Sequence, residues 1–227
     1  MSAAIFAIRP EPGLSATLEA ARALSIQVEG YPLAEVAAVK WAAPRDIQFA
    51  ALLLGSANAV RHAGAALAQW RGRTAHVVGA ATAEAAREAG LNVGIVGQGG
   101  LQQVVDRLSG GDRLRLLRLA GERHTVLEAP ANVAIDTRVV YRVVHHPIPV
   151  DFAGRLKAGG VVLLHSGEAA RHFARECDRA GLAREAIALA ALAPRIAEAA
   201  GGGWRRVAVA GHPVDSQLLA LARDICH

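Results

Sequence analysis

Two short stretches of this chain carry the residue types best suited to chemistry, and they are alike. L-L-L-G-S-A-N-A-V-R-H ends at His62, and L-L-H-S-G-E-A-A-R-H ends at His172. Ser166, Arg171 and His172 each lie 110 residues after Ser56, Arg61 and His62. In both, a run of buried-strand residues meets a serine and then a helix-like segment. A serine at that point accepts a bond from an amide two or three residues on, which makes it a helix N-cap. The free N–H groups of Ala57, Asn58 and Ala59 in the first copy, and of Gly167 in the second, would then face an anion. Plain capping is the alternative for both serines. Neither stretch is a G-x-S-x-G turn and no base adjoins either serine, so a serine nucleophile is disfavoured.

Other candidates are weaker. Thr82, in G-A-A-T, sits at a second strand-to-helix turn and is either a cap or a ligand contact. Arg9 and Arg118 end strands, where an arginine reaches a ligand or makes a surface salt bridge. His145-His146 before Pro147 reads as solvent-facing, and no spacing with His124 or His165 suits zinc. Gly97-Gln98-Gly99-Gly100 lacks both the lysine of a P-loop and the spacing of a dinucleotide fingerprint.

Composition narrows the class. Hydrophobic residues make up 52% of the 227 but aromatics only 4%, which suits Ala-rich helices on strands and excludes disorder. No apolar run reaches the roughly 18 residues of a membrane span. The N-terminus has no basic region before Arg9-Pro10 and reads as a strand instead of a signal peptide. Cys177 and Cys226 show no metal spacing and fit a reducing compartment; the cytoplasm is the expected location. Net charge is +5 from 25 Lys and Arg, of which only Lys40 and Lys157 are lysine. The arginines are scattered without interleaved aromatics, which disfavours nucleic acid, whereas their bidentate forks suit carboxylate or phosphate ligands, so an anionic small molecule stays open.

Strands and helices must alternate to position these residues. Strands are expected at 3–8, 26–28, 47–54, 75–78, 92–96, 114–119, 133–144, 161–164, 186–192 and 207–210. Helices are expected at 16–24 (capped by Ser15), 57–69, 83–89, 101–108, 167–180, 194–200 and 214–225, with a short one between Glu122 and Pro130. Arg45-Asp46 turns into the strand that begins at Ile47. The duplication runs past the serines: V-G-A-A-T-A-E-A-A (78–86) matches L-A-P-R-I-A-E-A-A (192–200), and G-Q-G-G-L-Q-Q-V-V (97–105) matches G-H-P-V-D-S-Q-L-L (211–219). Residues 116–144 match 6–36, with Tyr141 falling on Tyr31. The repeat order is permuted, so the N-terminus must pack with the C-terminal third. The expected architecture is α/β: two similar parallel-sheet domains, with ligands at the C-terminal ends of the strands. One is discontinuous (1–34 plus 147–227) and one inserted (42–136). Linking strands at 35–41 and 137–146 are able to pair as a ladder.

Taken together, Arg9-Pro10, Tyr31-Pro32-Leu33, L-L-G-S-A-N-A-V, V-G-A-A-T-A, L-R-L-A-G (117–121), V-V-Y (139–141) and L-L-H-S-G resemble the uroporphyrinogen-III synthase family in its order, over nearly the whole chain. The resemblance implies two α/β domains joined by a two-stranded linker with the substrate in the cleft between them. It implies cyclisation of hydroxymethylbilane with loss of water and inversion of ring D, with no metal or organic cofactor; a monomer is expected. That substrate is a linear tetrapyrrole with eight carboxylates. The implied ligand contacts are Arg9, Ser56, Ala57, Asn58, Thr82, Gly121, Ser166 and Gly167, with Tyr141 as the phenol assisting departure of the hydroxyl.

The chain also departs from the family. Where the second copy usually reads G-P-T-T-A, it has Ala193-Pro194-Arg195-Ile196-Ala197. Glu168 adds an acid near the Ser166 helix start. Two alternatives follow: a two-lobed protein that binds an acidic small molecule without catalysis, and an inactive relative that has kept the fold.

Overall fold

The computed structural model describes residues 4–44 and 49–226. Ala3, the Arg45-Asp46 turn and the expected strand start at Ile47 lie outside the described residues. The first elements are β1 (Ile5–Ala7), α1 (Gly13–Ala23), β2 (Glu29–Gly30) and β3 (Ala34–Ala38). Next come β4 (Ala51–Leu54), α2 (Ala57–Arg61), a 3-10 turn (Gly64–Trp70), β5 (Thr74–Val78) and α3 (Ala80–Glu88). β6 (Asn92–Gly97), α4 (Leu101–Asp106), β7 (Leu114–Gly121) and β8 (Val133–His145) follow. Then come α5 (Val150–Lys157), β9 (Gly160–Leu164), α6 (Gly167–Arg179) and β10 (Ile187–Ala191). The last are α7 (Pro194–Ala199), β11 (Arg206–Val209) and α8 (Asp215–Cys226). No helix among the described residues is long and apolar enough to cross a membrane.

Two compact units result: Met1–Glu35 with Val144–His227, and Val36–Val143. The sheet of the first runs β11-β10-β9-β1-β2, and that of the second β6-β5-β4-β7-β8-β3. The repeats make β4, β5, β6 and β7 the counterparts of β9, β10, β11 and β1, so both sheets have the same strand order. The pairings β1–β9, β9–β10, β4–β5 and β4–β7 are all parallel. β1 thus sits beside β9, Phe6 opposite Val162, although more than 150 residues separate them. At the edge of the second sheet, Val39 N donates to Val140 O (2.9 Å), where β3 flanks β8.

Burial explains why these strands are central. All four residues of β4 and all five of β9 and of β10 are buried, as expected of parallel strands covered by helices on both faces. The period of two then splits each strand between two cores. Leu52 and Leu54 pack with Trp70 and Ala86, whereas Ala51 and Leu53 face Val104 and Val105. Likewise Phe6 and Ile8 join Phe152 and Phe173, while Ile5 and Ala7 meet Leu218 and Ala222.

Local chemistry corrects several expectations. Helix 57–69 is not continuous: α2 ends at Arg61, Gly64 turns the chain at φ +66°, and a 3-10 turn carries Trp70 into the core. Ser15 does not cap α1. That helix starts at Gly13, and Ser15 sits inside it, donating from N (3.1 Å) and Oγ (3.0 Å) to the Glu11 carboxylate. Strand 26–28 falls at β2 instead, where Glu29 pairs with Phe6. No helix forms between Glu122 and Pro130. The connection is a loop held from outside, with Gln102 on α4 bonding both the N–H (2.9 Å) and the C=O (2.8 Å) of Glu128. α5 was not anticipated. It buries Phe152 and Leu156, the former stacked on Tyr31 and edge-on to Phe6.

Candidate functional site

In the Val36–Val143 unit, the C-terminal ends of β4, β5 and β7 surround a cavity of about 210 Å³. Ser56, Gly121 and Tyr141 line it together with Arg118, Arg123 and His124. Ser56 is an N-cap with extended backbone, and its Oγ accepts from Asn58 N (3.2 Å). Ala59 N donates to Ser56 O (3.0 Å). Two of the three amides expected to face an anion are therefore engaged within the turn itself, and neither Ala57 nor Asn58 is on the cavity wall.

Tyr141 stands opposite Gly121, where the β7–β8 register shifts by a bulge, and Glu122 N donates to Tyr141 O (2.9 Å). A Cβ on Gly121 would fall 2.7 Å from Tyr141 Cζ, so only glycine lets the phenol ring lie against the strand end. His124 Nδ1 donates to Gly121 O (2.8 Å), which fixes that imidazole's tautomer because a carbonyl can only accept. Arg118 is buried, 5% exposed. It donates from Nη1 to Thr125 O (2.8 Å), and its buried Nε has no acceptor. Burial pushes the guanidinium pKa down from its ordinary value. Thr82 lies inside α3, 5% exposed and off the cavity wall. Arg123 carries no site signal in the sequence and His124 is weighed there only against zinc, because both lie on an irregular loop where no periodicity marks a direction.

In the other unit the strand ends carry a different cluster. Arg9 Nη1 pairs with Asp215 Oδ2 (3.2 Å) and donates to Thr17 Oγ1 (3.1 Å), while Thr17 Oγ1 donates to Asp215 Oδ2 (2.6 Å). His165 Nε2 is 3.2 Å from Asp215 Oδ1 but off the line of a formed hydrogen bond. Burial would raise the Asp215 pKa; the approach of His165, the Thr17 bond and the Arg9 charge overcome it and bring it to about 2. Burial pushes His165 down. Arg9, expected to meet a ligand, thus has its charge matched internally.

Ser166 caps α6 through Ala169 N (3.1 Å). Gly167 permits the approach of α7, since a Cβ there would sit 3.3 Å from Ala199 Cβ. Glu168 Oε1 lies 3.0 Å from His145 Nε2, and the His145 ring packs on His172 at 4.5 Å. His145, expected to face solvent, is therefore largely covered, its side chain 17% exposed. Among the described residues no group of three His, Cys, Asp or Glu is placed to hold a metal ion.

Residues 15–220 match the family model for uroporphyrinogen-III synthase HemD. A search of curated protein sequences gave no significant match. Among solved structures, the uroporphyrinogen-III synthetase of Helicobacter pylori superposes with a TM-score of 0.68 at 14% identity, covering 98% of this chain and 99% of that one. A mutant uroporphyrinogen III synthase of Thermus thermophilus gives 0.57 at 18% identity, with 98% and 99% covered.

Proposed function

Since the chain belongs to the uroporphyrinogen-III synthase family, we propose that it is an enzyme of tetrapyrrole synthesis that cyclises hydroxymethylbilane with inversion of ring D. The observation that carries this reading is the family match across residues 15–220. The reaction class is a hydro-lyase: the C–O bond of the hydroxymethyl group breaks, its oxygen leaves as water, and a stabilised azafulvene cation remains. The substituted carbon of ring D attacks that cation to give a spiro intermediate before plain ring closure occurs.

Little strong acid–base chemistry is needed, so the protein acts mainly by positioning. Tyr141 is proposed to assist departure of the hydroxyl by hydrogen bonding. Its place beside Gly121 and Arg118 on the cavity wall supports that role. Ser56 and Gly121 are proposed as substrate contacts of the same cavity. Arg9, Ala57, Asn58, Thr82, Ser166 and Gly167 remain part of the proposed contact set, with Arg9 now shared with Asp215. The eight carboxylates of the substrate suit a protein of net charge +5.

We take the enzyme to be a cytoplasmic monomer with no nucleic-acid partner. Its two free cysteines agree with a reducing compartment, and burial pushes the Cys177 thiol up to about 12, leaving it unreactive. The test is an assay with hydroxymethylbilane freshly made by its upstream synthase. Type III product is expected, and type I alone would mean spontaneous closure and overturn the reading.

A further inference from the structure

Arg118 is the one buried arginine among the described residues. Elsewhere even more exposed arginines have a carboxylate: Arg9 has Asp215, Arg115 has Asp136 and Arg184 has Asp178. Arg118 has no carboxylate partner among the described residues. Of its five N–H donors, a single bond to the Thr125 carbonyl is made. Removing a guanidinium from water without a counter-charge costs several kcal/mol even after relaxation. A satisfied core arginine would spread its donors over acceptors; this one lies on the wall of a cavity that no Asp or Glu lines among the described residues.

Volume sets what can enter. At about 210 Å³ the cavity is smaller than the roughly 300–1,000 Å³ that encloses a whole small molecule. It equals about seven waters at roughly 30 Å³ each, room for one short acidic side arm.

We infer that Arg118 is the counter-charge for a single carboxylate arm of the substrate, received in the cavity walled by residues 123–125. The identity of that substrate rests on the synthase reading above; the carboxylate site itself does not. The planar fork of arginine grips both oxygens of a carboxylate. One fixed arm would set the orientation of the pyrrole ring that bears it. The arginine is held ready by Thr125 O, so little rearrangement accompanies binding. The trade is stability for recognition: the unliganded protein keeps an unpaired charge that only the ligand completes.

Three measurements decide it. Sodium propionate is titrated into the wild-type protein against sodium chloride at equal ionic strength. The Arg118 Nε–Hε signal is followed by NMR and assigned by its loss in Arg118→Met. A saturable shift specific to propionate is expected; a shift no larger than that of exposed arginines overturns the inference.

In turnover with hydroxymethylbilane, Arg118→Met should raise KM at least tenfold, worth 1.4 kcal/mol, and change kcat less. Arg118→Lys should recover part of the loss. Without ligand, Arg118→Met should melt at or above the wild-type temperature, and a lower melting temperature would make Arg118 a structural residue and overturn the assignment. If the wild-type protein yields type I product alone, the synthase reading fails while the propionate titration still decides the carboxylate site.

Discussion

Tyr141 and Gly121 work as one unit, because the glycine's missing Cβ is what lets the phenol occupy the strand end. Tyr141→Phe removes only a hydroxyl. It should lower kcat by roughly tenfold or more and leave KM nearly unchanged, the pattern of an interaction made in the transition state. Gly121→Ala should match that loss by displacing the ring; a Gly121→Ala enzyme with wild-type kcat would separate the two residues. Titration makes a second prediction at this scale. Burial lowers the pKa of His165 and His172 in the folded protein below the ordinary 6.5. The unfolded chain therefore binds these protons first, and stability falls as pH drops below about 6.5. Asp215, held at about 2, contributes stability above its ordinary value near 4 that is lost toward pH 2. Urea titrations from pH 7.5 to 5 should show the first decline, and His165→Gln should flatten it. An unchanged slope would exclude His165 as a source.

Elements explain which expectations held. The strand-to-helix turns at Ser56 and Ser166 are both N-caps, as the paired serines suggested, because a cap needs only local backbone and one hydroxyl. The 122–132 loop was not legible, since its order comes from bonds to residues outside it instead of from a local pattern. Gln102 holds Glu128 at both backbone groups, and Asn132 donates to Leu108 O (2.8 Å). Gln102→Ala removes two bonds of about 1 kcal/mol each. It should speed hydrogen exchange at the Glu128 amide well before exchange changes in β4. Equal acceleration at both places would mean that the loop opens only with the sheet. Because this loop supplies Thr125 to Arg118, the same variant should also weaken propionate binding.

At the scale of the molecule, each unit carries complete cores of its own. The cores of Leu52 and Leu53 draw all their members from Val36–Val143, and those of Phe6 and Ile5 draw none from it. A fragment of residues 36–143 should therefore melt cooperatively alone, whereas deletion of residues 1–33 should abolish the folding of the other unit by removing β1 from beside β9. A fragment 36–143 without a cooperative transition would show that its sheet depends on the rest of the chain. The sequence by itself determined the α/β class, the strand-to-helix turns and the matching order of the two sheets. Apolar runs, capping residues and repeat offsets are written locally, and burying continuous apolar strands forces parallel sheets covered by helices. The tertiary structure alone decided which charges are spent and which are free. Arg9 and Arg118 are both expected at strand ends and look equivalent in the sequence, yet one follows β1 and meets Asp215 and Thr17 while the other lies within β7, buried with a single carbonyl. A charge partner is selected by distance in space, and Arg9 and Asp215 lie 206 residues apart in the chain.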